Sequence, residues 1–200
     1  MKEYIFNYED IEPVLKVLIP QTINDTSVIM SIDGCCGSGK TAMAHTLYKI
    51  FSCNIIHMDD YYLPFNMRQE NWEQAVAGNM DLNRILKEVL LPACQRENII
   101  SRPYNVHSDS FGKEELLLPH KLTVVEGSYS QHPLLASSYT LKIFLTCSRE
   151  VQIKRLKQRE GSNCVSFENR WIPMEENYFK RCNILEQSDL VIDTSSFFNT

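Results

Sequence analysis

Gly34-Cys35-Cys36-Gly37-Ser38-Gly39-Lys40-Thr41 matches the pattern G-x-x-x-x-G-K-[ST] without a mismatch. Residues of these types at this spacing bind phosphate. The glycines let the backbone curl until successive N–H groups point inward and form a concave nest for anionic oxygens. A helix starting near Lys40 adds the positive end of its dipole at the same place. The Lys40 ammonium can reach the outer phosphates as a point charge, and the Thr41 hydroxyl is a hard oxygen suited to Mg²⁺. Gly34 through Thr41, with Ala42 in the first turn of that helix, are therefore the expected ATP-binding residues, and ATP and Mg²⁺ the expected cofactors.

A second polar cluster follows about twenty residues later: His57-Met58-Asp59-Asp60-Tyr61-Tyr62-Leu63-Pro64. A carboxylate there can orient and deprotonate an attacking hydroxyl, or bind magnesium through water. An acidic turn or helix cap is the plainer reading of an Asp-Asp pair taken alone.

The elements that must position these groups are legible as alternating short apolar runs and longer segments of helical period. Val28 to Ile32, Asn54 to Met58, Leu122 to Glu126, Leu141 to Thr146 and Leu190 to Ile192 read as strands. Helices are expected over Lys40 to Phe51, along the Leu82, Ile85, Leu86, Val89, Leu90 stripe that Pro92 kinks or ends, and over Arg149 to Glu160. Gly161 to Phe167 reads as a loop. A last helix has Pro173 in its first turn and Met174, Tyr178, Cys182 and Leu185 on one face. Ile11 to Ile19 is a candidate short helix. This pattern predicts one α/β domain over residues 1–200: a three-layer P-loop NTPase-type fold with a five-stranded, mainly parallel sheet, helices on both faces and a small helical lid at residues 148–172. Ligands in such sheets bind beyond the carboxyl ends of the strands, so the glycine-rich loop and the Asp59 cluster should share one edge.

Composition narrows the class. An apolar fraction of 44% with 22% charged residues excludes a disordered or fibrous chain. A net charge of −5 argues against broad affinity for nucleic-acid backbones. No apolar run is long enough to cross a bilayer, so no membrane partner is expected. Met1 to Asp10 lacks the basic and apolar regions of a secretion signal, and the seven cysteines form no C-x-x-C pair. Reduced thiols and a cytoplasmic location are the expectation.

In order and spacing, GCCGSGKT, MDDYYLP, RPYNV (Arg102 to Val106) and VVEG (Val124 to Gly127) resemble the uridine kinase-like enzymes. That group includes uridine–cytidine kinases, phosphoribulokinase, bacterial pantothenate kinase and nicotinamide riboside kinase. The resemblance runs from about Val28 to Asp193. It implies transfer of the γ-phosphate of Mg-ATP to a hydroxyl of a small, nucleoside-like acceptor such as uridine or cytidine. Asp59 then matches the catalytic aspartate near the acceptor hydroxyl and metal, and Glu126 the acidic residue that helps hold Mg²⁺ with Thr41. Lys40 is counted with the catalytic groups. Tyr104 matches a tyrosine that packs on a base or sugar, an ordinary core aromatic being the other reading, and Tyr61 sits where an aromatic borders the acceptor pocket. Glu73 and Asp81 compete for the acidic residue that holds ribose hydroxyls, and His107, close behind Tyr104, and Arg170 are counted with the acceptor-binding candidates. Asn105 stands where uridine kinases typically carry aspartate.

The basic run Arg149 to Arg159 resembles the helix leading into the family's lid. Arg155 and Arg159 lie at i, i+4 on one face and could both meet the transferring phosphate, with Arg159 the first choice and Arg170 an alternative. A solvated charged face is the plainer reading of the run. Other acceptors (pantothenate, nicotinamide riboside or glycerate) or a nucleotide-dependent switch are the alternatives to a nucleoside kinase. Without an N-K-x-D motif a GTPase is disfavoured. Homo-oligomerisation is left open.

Overall fold

Val28 to Gly34 (β2) carries apolar residues on both sides of the pleat and forms the centre of the sheet. Val28, Met30 and Ile32 point to one face, where Met43, Ala44 and Leu47 of helix α1 (Lys40–Phe51) cover them. Ile29 points to the other. The computed structural model describes residues 3–4 and 27–196, so the helix expected over Ile11 to Ile19 lies outside the described residues.

The sheet comprises β1 (Glu3–Tyr4), β2, β3 (Asn54–His57), β4 (Leu122–Glu126), β5 (Leu141–Thr146) and β6 (Leu190–Asp193). Their spatial order is β1-β6-β5-β2-β4-β3, and every pairing is parallel. The five expected strands are present, and β1 adds a two-residue edge. Helices lie on both faces. α1 is on one; on the other is a run made of α2 (Leu82–Arg84), a π-wound segment Ile85–Leu90 and α3 (Leu91–Gln95). After β4 come α4 (Pro133–Ala136) and, past β5, α5 (Arg149–Glu160), whose first turn is capped by the Ser148 hydroxyl accepting from Val151 N–H at 3.3 Å. Then follow α6 (Cys164–Ser166), π-wound Phe167–Trp171, α7 (Ile172–Arg181) and α8 (Ile184–Gln187). Among the described residues no helix is long and apolar enough to cross a membrane.

Gly161 to Phe167 is helical rather than a loop, and of the two outcomes expected at Pro92, a kink or an end, the helix does not end there but continues to Gln95. Pro92 and Pro173 each sit in the first turn of a helix directly after a π-wound segment. A proline has no N–H to give the carbonyl four residues back, and a wider turn lets the chain stay helical across that gap. The face of α7 also differs: Ile172, Glu175 and Tyr178 are its buried residues, and Met174 is only half-buried.

β2 and β5 approach so closely that a Cβ on Gly34 would lie 2.0 Å from the Leu145 carbonyl oxygen, and Gly34 also has φ of +139°. Neither backbone can yield, because both are inside the sheet. Gly34→Ala is expected to cost more than about 4 kcal/mol, in the range of severe core defects. That lowers Tm by about 8 °C or more for a chain of this size. A thermal melt matching the parent would refute this reading of the strand contact.

Candidate active site

The parallel register delivers three strand ends to one edge, since Ile32 pairs with Glu126 and Glu126 with His57. Above that edge lies a cavity of about 470 Å³. Its walls come from the glycine-rich loop and α1 (Cys36, Gly37, Gly39, Lys40, Thr41, Ala42), from Asp59, from Glu126, Gly127 and Ser128, and from Arg159, Glu160, Phe167, Trp171 and Glu175.

Gly37 and Gly39 hold φ of 79° and 95°, the left-handed region that curls the loop. Gly39 caps α1 with no side-chain hydrogen bond, and the first turn of α1 has no acidic residue. Its leading N–H groups are thus left for an external anion, so the loop fits a phosphate. Lys40 Nζ donates to the carbonyls of Gly34 at 2.7 Å and Cys35 at 3.1 Å. Burial pulls its pKa down, but Glu175, Cys35, Asp33 and Glu126 outweigh that and hold it above the usual lysine value. Lys40 is a cation at neutral pH.

Thr41 Oγ1 donates to Glu126 Oε1 at 3.0 Å, and His57 Nδ1 lies 2.6 Å from the same oxygen. Glu126 is 5% exposed, and its hydrogen bond raises the His57 pKa. A hydroxyl beside a carboxylate is the hard-oxygen pair that suits Mg²⁺. Among the described residues no three His, Cys, Asp or Glu side chains cluster as a metal cage. Magnesium held by one or two protein oxygens together with phosphates needs none.

Asp59 sits on the 3-10 turn Met58–Asp60 that ends β3, where Tyr62 OH donates to its Oδ1 at 2.9 Å. Arg84 holds the turn from behind, donating to Asp60 O at 2.8 Å and Arg102 O at 2.7 Å while its guanidinium lies 4.5 Å from the Tyr61 ring. Arg84 carries no sequence signal, because its partners come from two separate segments, Asp60–Tyr61 and Arg102.

Of the remaining expected residues, all but Arg159 lie away from the cavity wall. Arg155 donates to Gly37 O at 3.1 Å and Thr194 O at 2.6 Å, tying the loop to the end of β6. One turn on, Arg159 does face the cavity, with Nε 2.7 Å from Glu160 Oε1. Tyr61 is fully buried with its hydroxyl on Ser101, so Tyr62 rather than Tyr61 meets Asp59. Tyr104 is buried against Phe111 with its hydroxyl on Asp109. Asp81 caps α2, its Oδ1 accepting from Arg84 N–H at 3.0 Å. Glu73 pairs with Arg170, which stacks between Trp72 and Trp171. His107 is exposed in the turn after Tyr104, its N–H on Asn105 Oδ1. Of the loop cysteines, Cys36 is buried and its thiol pKa is pushed up by burial, whereas Cys35 Sγ lies 3.8 Å from Cys147 Sγ.

Two carboxylates that the motifs do not signal complete the site. Glu175, 6% exposed, accepts from Cys36 N–H at 2.8 Å through Oε2 and from Ser128 Oγ through Oε1. Asp33, fully buried, accepts from Gly34 N–H at 2.7 Å, Gln131 N–H at 2.9 Å and Tyr178 OH at 2.7 Å.

No family model and no curated protein sequence matches the chain. Solved structures do. A "possible uridine kinase" from Bacillus stearothermophilus superposes with a TM-score of 0.69 at 18% identity, over 92% of this chain and 100% of that one. A candidate P-loop kinase with a circular permutation, from Saccharomyces cerevisiae, gives 0.65 at 11% identity, over 94% and 98%. A candidate fructose transport system kinase from a Silicibacter species gives 0.62 at 17% identity, over 88% and 98%. The chain therefore has the P-loop kinase fold, in the form seen in uridine kinase-like structures.

Burial lifts the Asp33 pKa to about 6, against the opposing hydrogen bonds of Gln131 and Tyr178, the Lys40 charge and the Gly34 hydrogen bond. A carboxyl whose folded pKa is raised contributes stability below its unfolded pKa near 3.8 and loses it as pH rises through the folded value. Between pH 5 and 7.5 that loss is about 1 kcal/mol. Asp33→Asn, which cannot ionise, should gain about that much relative to the parent over this range in urea unfolding. A difference independent of pH would show that Asp33 is already ionised at pH 5.

Proposed function

We propose that this chain is a Mg-ATP-dependent kinase that phosphorylates a hydroxyl of a small, nucleoside-like metabolite. The observation carrying this reading is that Lys40, Thr41, Glu126 and Asp59 line a single cavity at the carboxyl edge of the sheet. The loop amides and Lys40 bind the triphosphate. Thr41 and Glu126 would hold Mg²⁺, which supplies charge neutralisation at the phosphates. Asp59, held by Tyr62, accepts the proton of the attacking hydroxyl. Residues 148–172 act as the lid, and Arg159 is its phosphate-facing arginine. The nucleoside-like acceptor rests on the sequence resemblance and on the uridine kinase-like fold; Tyr61, Tyr104 and Asp81 hold structural contacts instead of lining the cavity.

Asp59→Asn should lower turnover by about 10²- to 10⁴-fold, the usual worth of a general base, while leaving ATP binding largely intact. The acceptor is found by following ADP formation across nucleosides, pantothenate, nicotinamide riboside and glycerate. Undiminished transfer in the Asn variant would remove Asp59 from the mechanism. ADP formation that no acceptor stimulates would favour a nucleotide-dependent switch.

A further inference from the structure

Glu175 is placed where a phosphate-binding loop should not tolerate an anion. Its carboxylate is 2.8 Å from the Cys36 N–H, inside the cavity lined by Lys40 and Thr41, and Ser128 holds its other oxygen. Few groups belong there: loop amides oriented inward are an anion nest, and a triphosphate seeks the same donors and the same Lys40.

The helix that carries Glu175 has two dissimilar ends. One turn further along α7, Tyr178 is fully buried and donates to Asp33 at 2.7 Å beneath the loop. On the other side of Glu175 the chain passes through Pro173 into the π-wound Phe167–Trp171 segment. There the segment is held by Arg170 on Glu73 and by Trp171 beside Trp72. Tyr178 anchors the helix, and Glu175 is the contact that can be exchanged.

We infer that Glu175 is an internal anion of the phosphate-binding loop, occupying one of its amides until a nucleotide triphosphate expels it, so that nucleotide binding releases the start of α7 and resets the lid attached to it. This rests on the ATP-binding reading above. Glu175 is thus a positioning residue. It lowers the affinity for nucleotide, because part of the loop must be vacated first, and it links occupancy of the loop to the position of the segment carrying Phe167 and Trp171. In return its charge helps keep Lys40 protonated when no phosphate is present.

The test is calorimetric titration of the parent chain, Glu175→Gln and Ser128→Ala with a non-hydrolysable ATP analogue plus Mg²⁺. Hydrogen exchange of residues 172–176 is followed in the same samples. Glu175→Gln should bind about tenfold more tightly, because a neutral amide competes poorly for an N–H in a cationic nest. Ser128→Ala, which removes one support of the carboxylate but leaves its charge, should tighten binding by a smaller factor. It also provides the comparison if the Gln variant does not fold. Nucleotide should speed exchange over 172–176 in the parent, and the nucleotide-free Gln variant should already exchange at the faster rate. Nucleotide bound by the parent with equal or weaker affinity in both variants overturns this inference alone and makes Glu175 a fixed strut. Failure of parent and variants alike to bind overturns the ATP-binding reading and this inference together. Binding by the variants but not by the parent supports it strongly.

Discussion

A fully buried carboxylate at the end of the central strand organises the whole site. Asp33 takes hydrogen bonds from the first residue of the glycine-rich loop, from the turn that follows Glu126, and from Tyr178 on α7. These segments are separated by up to 145 residues. A buried ionised group without donors is far too costly to keep, so the three donors and the carboxylate must be assembled together. Once they are, the loop, the turn after β4 and α7 have fixed relative positions, and the cavity between them follows.

The frame was readable in the sequence wherever a period repeats. The strands around Val28, Leu122 and Leu141 and the helices from Lys40 and Arg149 are long enough for the pattern of apolar residues to mark them. Segments shaped by local exceptions were not. Pro92 reads as a kink or end of its helix, and only the three-dimensional chain shows that a π-wound turn before it lets the helix continue. The two short ribbons, Ile99–Ser101 with Glu115–Leu117 and Tyr104–Asn105 with Ser110–Phe111, contain too few residues to display alternation.

The site divides in the same way. Lys40, Thr41, Asp59 and Glu126 stand at strand ends and could be located by motif and register. Arg84, Asp33 and Glu175 work through partners far away in sequence, so no spacing rule points to them. Tyr61 and Tyr62 show how little separates the two cases. The 3-10 turn at Met58–Asp60 rotates the chain, so Tyr61 faces the core and its neighbour reaches Asp59. Arg155 and Arg159 share a helix face, yet the loop carbonyl and β6 engage the first and leave the second to the cavity.

The chain contains two tryptophans, and both are in one stack beside the cavity: Trp72 in the segment after Asp59 and Trp171 at the end of the π-wound Phe167–Trp171 segment, with ring centres 6.2 Å apart and Arg170 against both. Indole emission depends on the polarity and charge close to the ring. The protein therefore carries a built-in optical reporter whose indole signal arises where the Phe167–Trp171 segment meets the segment after Asp59. A change in tryptophan emission, excited where tyrosine does not absorb, reads out that contact without a label and with no background from tryptophans elsewhere.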